Sequence, residues 1–383
     1  MSVTAPAGFR AAGVAAGIKE SGEADLAVVI NDGPSDAAAG VFTSNRVKAA
    51  PVLWTQQVIN GGRVRAAVLN SGGANACTGP DGFADTHHTA ERLAKALSAS
   101  AGEIAVCSTG LIGDRLPMDR LLPGVDAAAA AATADGGAAA AAAIRTTDTV
   151  SKTCRVPGPG YAIGGMAKGA AMLAPALATM LVVLTTDADL PAAELDTALR
   201  RAVAVTFDRL DADGCMSTND TVLLLASAAS GARPDPGEFT AALTLACSDL
   251  ARQMQLDAEG AGKAIDIEVT GAASEDDAVA VGRAVARCNL LKCAIGGEDP
   301  NWGRILAAVG TTSAAFAADR LSVAINGVWV CRNGTAAKDR AGVDLRPADV
   351  TITVDLRAGS ESATIRTTDL TAAYVHENSA YPT

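Results

Sequence analysis

Apolar residues along the chain fall into short runs rich in β-branched side chains, at 26–30, 64–70, 103–108, 179–185, 222–227, 265–270, 321–325 and 350–356. Such runs, set between turn-forming residues, predict strands. Between several of them the spacing changes to that of a helix. Over 86–100, Ala90, Leu93, Ala94 and Leu97 share one face. Over 191–210, Pro191 suits a first helical turn, and Leu195, Leu199, Ala202 and Phe207 follow at helical intervals. Residues 239–256 form a third helical pattern, and Ser274 with Glu275, Asp276 and Asp277 predicts a capped start for a helix over 278–287. The alanine-rich tract 123–143 predicts two short helices around Gly136-Gly137 and no chemistry. Alternation of the two periods predicts α/β layers. The stretch 345–383 carries strand patterns with little helix, which predicts antiparallel pairing there. With no internal repeat and no linker, the expected fold is one compact layered α/β sandwich of mixed sheets.

Composition narrows the partners. The chain has 383 residues, 49% hydrophobic and 19% charged, a globular balance. Its 31 basic and 42 acidic side chains give a net charge of −11, with no Lys/Arg block. That argues against nucleic acid or an anionic membrane surface as the main partner. Aromatics at 3% leave few platforms for stacking bases. The first ten residues lack a basic stretch followed by an apolar one. The densest apolar run, 172–184, is interrupted by Pro175 and falls short of the roughly 20 residues of a membrane span. A cytoplasmic location is expected. Eight scattered cysteines and three histidines (His87, His88, His376) form no zinc-ligand spacing, so no metal site is expected and the cysteines read as small core residues. Scarce histidine also means that any nucleophile needs a base of another kind.

Three glycine-containing stretches fail their motifs. Gly158-Pro-Gly160 before Gly164 lacks dinucleotide-fingerprint spacing, Gly260-Ala-Gly262-Lys263 lacks the first glycine of a P-loop, and Val106-Cys-Ser-Thr-Gly110 lacks that of a nucleophile elbow. A fourth segment is different. From Gly164-Gly-Met-Ala-Lys168 through Pro175 to Ala178-Thr179 and a strand-like run, Lys168 is the only charge between Arg155 and Asp187. A cation in so apolar a setting reaches solvent or meets a partner. A threonine needs no histidine if it is a chain N-terminus, because its α-amine, with an unperturbed pKa of about 7.7–8.0, accepts the hydroxyl proton. Attack of the Thr179 hydroxyl on the carbonyl of Ala178 would give an ester, and its hydrolysis would free that N-terminus.

The segment Ala167-Lys-Gly-Ala-Ala-Met-Leu-Ala-Pro-Ala-Leu-Ala-Thr-Met-Leu181 resembles the self-cleavage segment of the glutamate N-acetyltransferase/ornithine acetyltransferase family of arginine biosynthesis. The similarity continues through Gly40-Val-Phe-Thr43, Asn70-Ser-Gly-Gly-Ala-Asn75, Ser108-Thr-Gly-Leu-Ile-Gly113 and Thr146-Thr-Asp-Thr149. It extends further through Phe207-Asp-Arg-Leu210, Ser217-Thr-Asn-Asp-Thr221, Asp257-Ala-Glu-Gly260, Asp299-Pro-Asn-Trp-Gly-Arg304 and Glu377-Asn-Ser-Ala-Tyr381.

The resemblance implies cleavage between Ala178 and Thr179, giving chains 1–178 and 179–383 that remain one body. Thr179 would be the acetyl-accepting nucleophile and its amine the base. Thr109 and Gly110 would form the oxyanion hole. Thr146, Lys168, Thr179, Glu259, Asn378 and Thr383 match the family's substrate contacts. Lys168 suits an α-carboxylate and Glu259 a cationic side chain. The implied reaction is ping-pong transfer of acetyl from N2-acetyl-L-ornithine to L-glutamate, with no metal or bound cofactor and with acetyl-CoA left open as a donor. The implied assembly is a heterotetramer of two such chain pairs. Two rivals remain at this point: an N-terminal-nucleophile amidohydrolase or aminopeptidase on the same scaffold, and a non-catalytic ligand-binding protein with the bond intact.

Overall fold

A computed structural model of the chain describes residues 2–173 and 180–380. Ala178, Thr179 and Thr383 therefore lie outside the described residues, as does the start of the strand expected from 179. The first sheet has the order β1 (Phe9–Val14), β2 (Leu26–Asn31), β4 (Ala66–Ser71), β5 (Ile104–Thr109), antiparallel except for the β4/β5 pair. The second has the order β3 (Ala38–Phe42), β9 (Thr221–Ala226), β8 (Leu181–Thr186), β7 (Tyr161–Lys168), β6 (Lys152–Gly158), antiparallel except for β8/β9. Both sheets are thus mixed.

Period-two alternation decides the layering. On β8, Leu181 and Val183 face the first sheet and pack with Leu69, Val29 and Ala105. Val182 and Leu184 face the other way, against α5 (Ala192–Ala204) and α6 (Pro236–Leu256). The outer face of the first sheet, with Val28, Ile30, Val68 and Val106, is covered by α2 (Gly79–Leu97) and α3 (Met118–Ala131). The result is helix, sheet, sheet, helix, with α1 (Ala50–Asn60) and α4 (Gly137–Ala143) closing the edges of the inter-sheet core. Strands buried on both faces explain the continuous apolar runs. The expected layered α/β sandwich of mixed sheets is the architecture found.

A third sheet occupies the C-terminal part. It has the order β13 (Thr335–Ala336), β12 (Val328–Arg332), β11 (Ser322–Ile325), β14 (Asp349–Asp355), β10 (Ala264–Ala272), β15 (Glu361–Thr368). Its core is shared with α7 (Glu275–Ala286), α8 (Asn289–Gly296) and α9 (Trp302–Val309). The expected cap of α7 is present, with Ser274 Oγ accepting from the Asp277 N–H.

Several expectations need correction. The helix expected at 86–100 starts at Gly79. Its first turns are held by polar contacts, Asn75 Nδ2 donating to Gly82 O and to Thr86 Oγ1, which leave no apolar stripe to read. The helix expected over 191–210 stops at Ala204, followed by a tight turn at Phe207–Arg209. In 345–383 the antiparallel pairing expected holds for β15 on β10 and β14 on β11, but β14 also pairs parallel with β10. The one helix among the described residues there, α10 (Ala372–Ala380), buries none of its side chains and so shows no amphipathic period. Gly164 and Gly165 lie inside β7. A Cβ at Gly164 would meet Ser2 O at 2.3 Å. Packing as small core residues holds for Cys107, Cys154, Cys247 and Cys331, whereas Cys77, Cys215 and Cys293 are exposed.

Candidate active site

The two central sheets bring the ends of β5 and β7 together. Thr109 is the last residue of β5 and Lys168 the last of β7, both buried. The Lys168 Nζ donates to Thr109 Oγ1 at 3.3 Å. Lys168 does not snorkel to solvent; it is 2% exposed. Burial lowers its pKa from the ordinary lysine value, opposed by the negative charge of Asp148. A hydroxyl that accepts from an ammonium keeps its own proton free to donate elsewhere.

The turn after β5 is built by the Asn70–Asn75 motif. Ser108 Oγ donates to Asn70 Oδ1, Asn70 Nδ2 to Gly73 O, and Gly73 N–H to Thr109 O. Asn219 Nδ2 bonds both Ser108 O and Ala74 O, tying this turn to the second sheet. Gly110 has φ +132°, and a Cβ there would lie 2.5 Å from Gly73 N and 2.6 Å from Gly72 C. Only glycine lets the two turns approach this closely.

Thr109, Gly110, Thr146, Lys168 and Glu259 line one cavity of about 810 Å³. Its other walls are Gly72, Leu111, Thr147, Ala171, Met172 and the loop Ile18–Ser21. Glu259 follows the C-terminus of α6 and is 8% exposed. Its N–H donates to Ala170 O at 2.9 Å, and its Oε1 is buried without a hydrogen-bond partner. Glu259 also lines a neighbouring cavity of about 460 Å³, with Asp213, Lys292 and Tyr374. Five of the expected site residues are thus brought together. Asn378 is not: it is exposed on α10, its amide donating to Tyr374 O.

Lys168 and Leu181 are register partners in the β7/β8 pair, so the expected cleavage segment leaves and re-enters at one strand end. Its described flanks are held by three aspartates. Asp148 Oδ1 accepts from the Gly169 N–H at 2.7 Å, Asp213 Oδ2 from Leu173 at 3.2 Å, and Asp220 Oδ1 from Met180 at 3.0 Å. Asp220 is fully buried, and burial pushes its carboxyl well above the usual range, against the pull of the Met180 N–H and Lys168. Asp148 goes the other way. Burial alone would raise it, but Lys168 and Lys152 hold it down at about 2.

Sequence reasoning missed Lys19, Asp148, Lys152, Asp213 and Asp220. Lys19 is a second cation on the cavity wall, with Nζ on Ala24 O and Arg145 O. Asp148 and Asp220 belong to the Thr146–Thr149 and Ser217–Thr221 motifs, but without a fold nothing marks them as turned inward. Among the described residues, no group of three His, Cys, Asp or Glu could hold a metal, and no helix is long and apolar enough to cross a membrane.

An oriented threonine hydroxyl, a constrained glycine turn and a buried cation around one cavity, in a two-sheet sandwich, define a site suited to acyl transfer to or from an amino acid. The ArgJ family model matches residues 10–383. The chain is 69% identical over 383 residues to the "Arginine biosynthesis bifunctional protein ArgJ" of Thermobifida fusca (strain YX), covering 100% of each. It is 66% identical over 381 residues to the protein of that name from Streptomyces coelicolor, again covering 100% of each. Among solved structures, it is similar to the ornithine acetyltransferase of Mycobacterium tuberculosis in complex with ornithine, at 60% identity and a TM-score of 0.43. That match covers 47% of this chain and 96% of that one. The chain belongs to the ArgJ family, and with it is an acetyltransferase of arginine biosynthesis.

Proposed function

We propose that this chain transfers the acetyl group of N2-acetyl-L-ornithine to L-glutamate through an acetyl ester on Thr179, after cutting itself between Ala178 and Thr179. The supporting observation is the Lys168–Thr109 contact on the wall of a cavity shared with Gly110, Thr146 and Glu259. In the first half-reaction the Thr179 hydroxyl attacks the acetyl carbonyl while its α-amine takes the hydroxyl proton. Negative charge grows on the carbonyl oxygen, where Thr109, its proton free because it accepts from Lys168, and Gly110 would donate. The C–N bond then breaks, the α-ammonium returns the proton to the departing amine, and ornithine leaves. Glutamate's amine attacks the ester in the second half-reaction and regenerates Thr179.

Both amino acids carry an α-carboxylate, for which the buried Lys168 ammonium is the matching charge. The unpartnered Glu259 oxygen offers an acceptor to the ornithine side-chain ammonium, and Thr146, Asn378 and Thr383 complete the substrate contacts. The chemistry calls for no metal or resident cofactor. Relatives are called bifunctional, which supports acetyl-CoA as a second donor for glutamate. The two chains, 1–178 and 179–383, would stay together in one body and pair as a cytoplasmic heterotetramer. The test is ornithine release from N-acetylornithine with and without glutamate. Transfer requires glutamate-dependent release; an equal rate without glutamate would instead identify a hydrolase.

A further inference from the structure

Lys152 has no exposed surface at all, which is unusual for a lysine. Its Nζ contacts Asp148 Oδ1 at 2.6 Å and Asp257 Oδ2 at 2.5 Å. Each aspartate also binds backbone. Asp148 accepts from the N–H of Thr146 at 3.1 Å and of Gly169 at 2.7 Å. Asp257 accepts from the Thr149 N–H at 3.1 Å and from its hydroxyl. Asp257 stands two residues before Glu259, whose own N–H reaches Ala170 O. Three chain segments remote in sequence, carrying Thr146, Lys168 and Glu259, therefore meet at one buried ion group.

Resting on the reading of the 810 Å³ cavity as the substrate pocket, we propose that Asp148, braced by Lys152 and Asp257, is its positioning residue. It joins those three segments and sets a fixed negative charge against the end of β7, where Lys168 stands. A buried ion group is poor value for stability alone, since apolar side chains of similar volume do as well or better. Its use here is to fix geometry and charge around a cation that has to receive a carboxylate. The charged groups acting on Lys168 are Asp148, Lys152, Asp220 and Glu259, with Thr109 as its hydrogen-bond partner. Asp148 and Lys152 act on it in opposite senses, and that opposition makes the role testable.

The experiment is kcat/KM for acetyl transfer against pH in the full chain, for wild type, Asp148→Asn and Lys152→Met. Asparagine keeps the shape and the acceptor oxygen for Gly169 but removes the charge. The buried Lys168 should then lose its proton at lower pH, moving the alkaline limb down by about half to one unit and lowering kcat/KM on that limb about three- to tenfold. Lys152→Met removes a repelling cation and should move the same limb up. A limb that stays in place, with or without a uniform loss at all pH values, overturns the proposal, as does a shift of opposite sign in either variant. Should one variant fail to fold, the other decides alone. Wild type without glutamate-dependent transfer would refute the pocket reading itself; wild type that transfers, with an unmoved limb in the variants, would refute only this inference.

Discussion

Replacing Gly110 by alanine tests whether the turn after β5 supplies an oxyanion donor. The added Cβ would sit 2.5 Å from Gly73 N and 2.6 Å from Gly72 C, both backbone atoms that cannot swing aside. Ordinary contact begins near 3.4 Å, so the turn must open by roughly 0.9 Å. The φ of +132° adds strain of about 1–3 kcal/mol for any residue with a Cβ. A donor displaced by nearly an ångström no longer meets the developing oxyanion, and loss of one such donor costs about 2.7–4 kcal/mol, or roughly 10²–10³ in kcat. Binding of the ground-state amide depends little on that donor, so KM should move by less than about threefold. The assay is the initial rate of glutamate-dependent ornithine release. Gly113→Ala is the control: its φ is +102°, but an added Cβ meets nothing within 4 Å. It should keep most of the wild-type kcat. A Gly110→Ala enzyme with kcat within threefold of wild type, or a Gly113→Ala enzyme equally impaired, would refute the reasoning.

Other substitutions probe the charges. Lys168→Met removes a buried ammonium worth about 1.5–3 kcal/mol to a carboxylate partner, so kcat/KM should fall about 10- to 150-fold for both amino acids. Glu259→Gln should raise KM for N-acetylornithine about tenfold and leave that for glutamate nearly unchanged, as steady-state kinetics with each substrate varied will read out. The pH profile of kcat/KM should be a bell. Its acid limb reflects protonation of the Thr179 amine as pH falls. Its alkaline limb reflects loss of the Lys168 proton as pH rises through a value that burial has brought below 10.5. Lys168→Arg, whose side chain stays charged, should abolish the alkaline fall.

Much of the sandwich was legible because its strands are buried on both faces and its helices carry apolar stripes. β2, β4, β5, β8 and β9 stand out as β-branched runs, and α5, α6 and α7 as periodic ones. What escaped had no such signal. β1 and β3 are short and rich in alanine and glycine, and β7 hides two glycines that make room for Ser2 O and Cys154 Sγ. The first turns of α2 are polar and held by Asn75, and α10 buries nothing. Within the site, Thr109, Gly110, Thr146, Lys168 and Glu259 were legible through the family resemblance and not through chemistry alone. Taken singly, Lys168 reads as a cation that either reaches solvent or meets a partner, and no local pattern marks Glu259 as buried. Asp148, Lys152 and Asp257 were not legible as a group, because what joins them is the register of β6 on β7 and the path of the chain beyond α6.

The most direct test of the account is the intact mass of the purified protein with the sequence of its new N-terminus. The prediction is two chains, one of 178 residues ending at Ala178 and one of 205 beginning with Thr179, together with a single uncut and inactive chain for Thr179→Ala. A wild-type protein that stays one chain of 383 residues while transferring acetyl groups, or a Thr179→Ala variant that still turns over substrate, would contradict it.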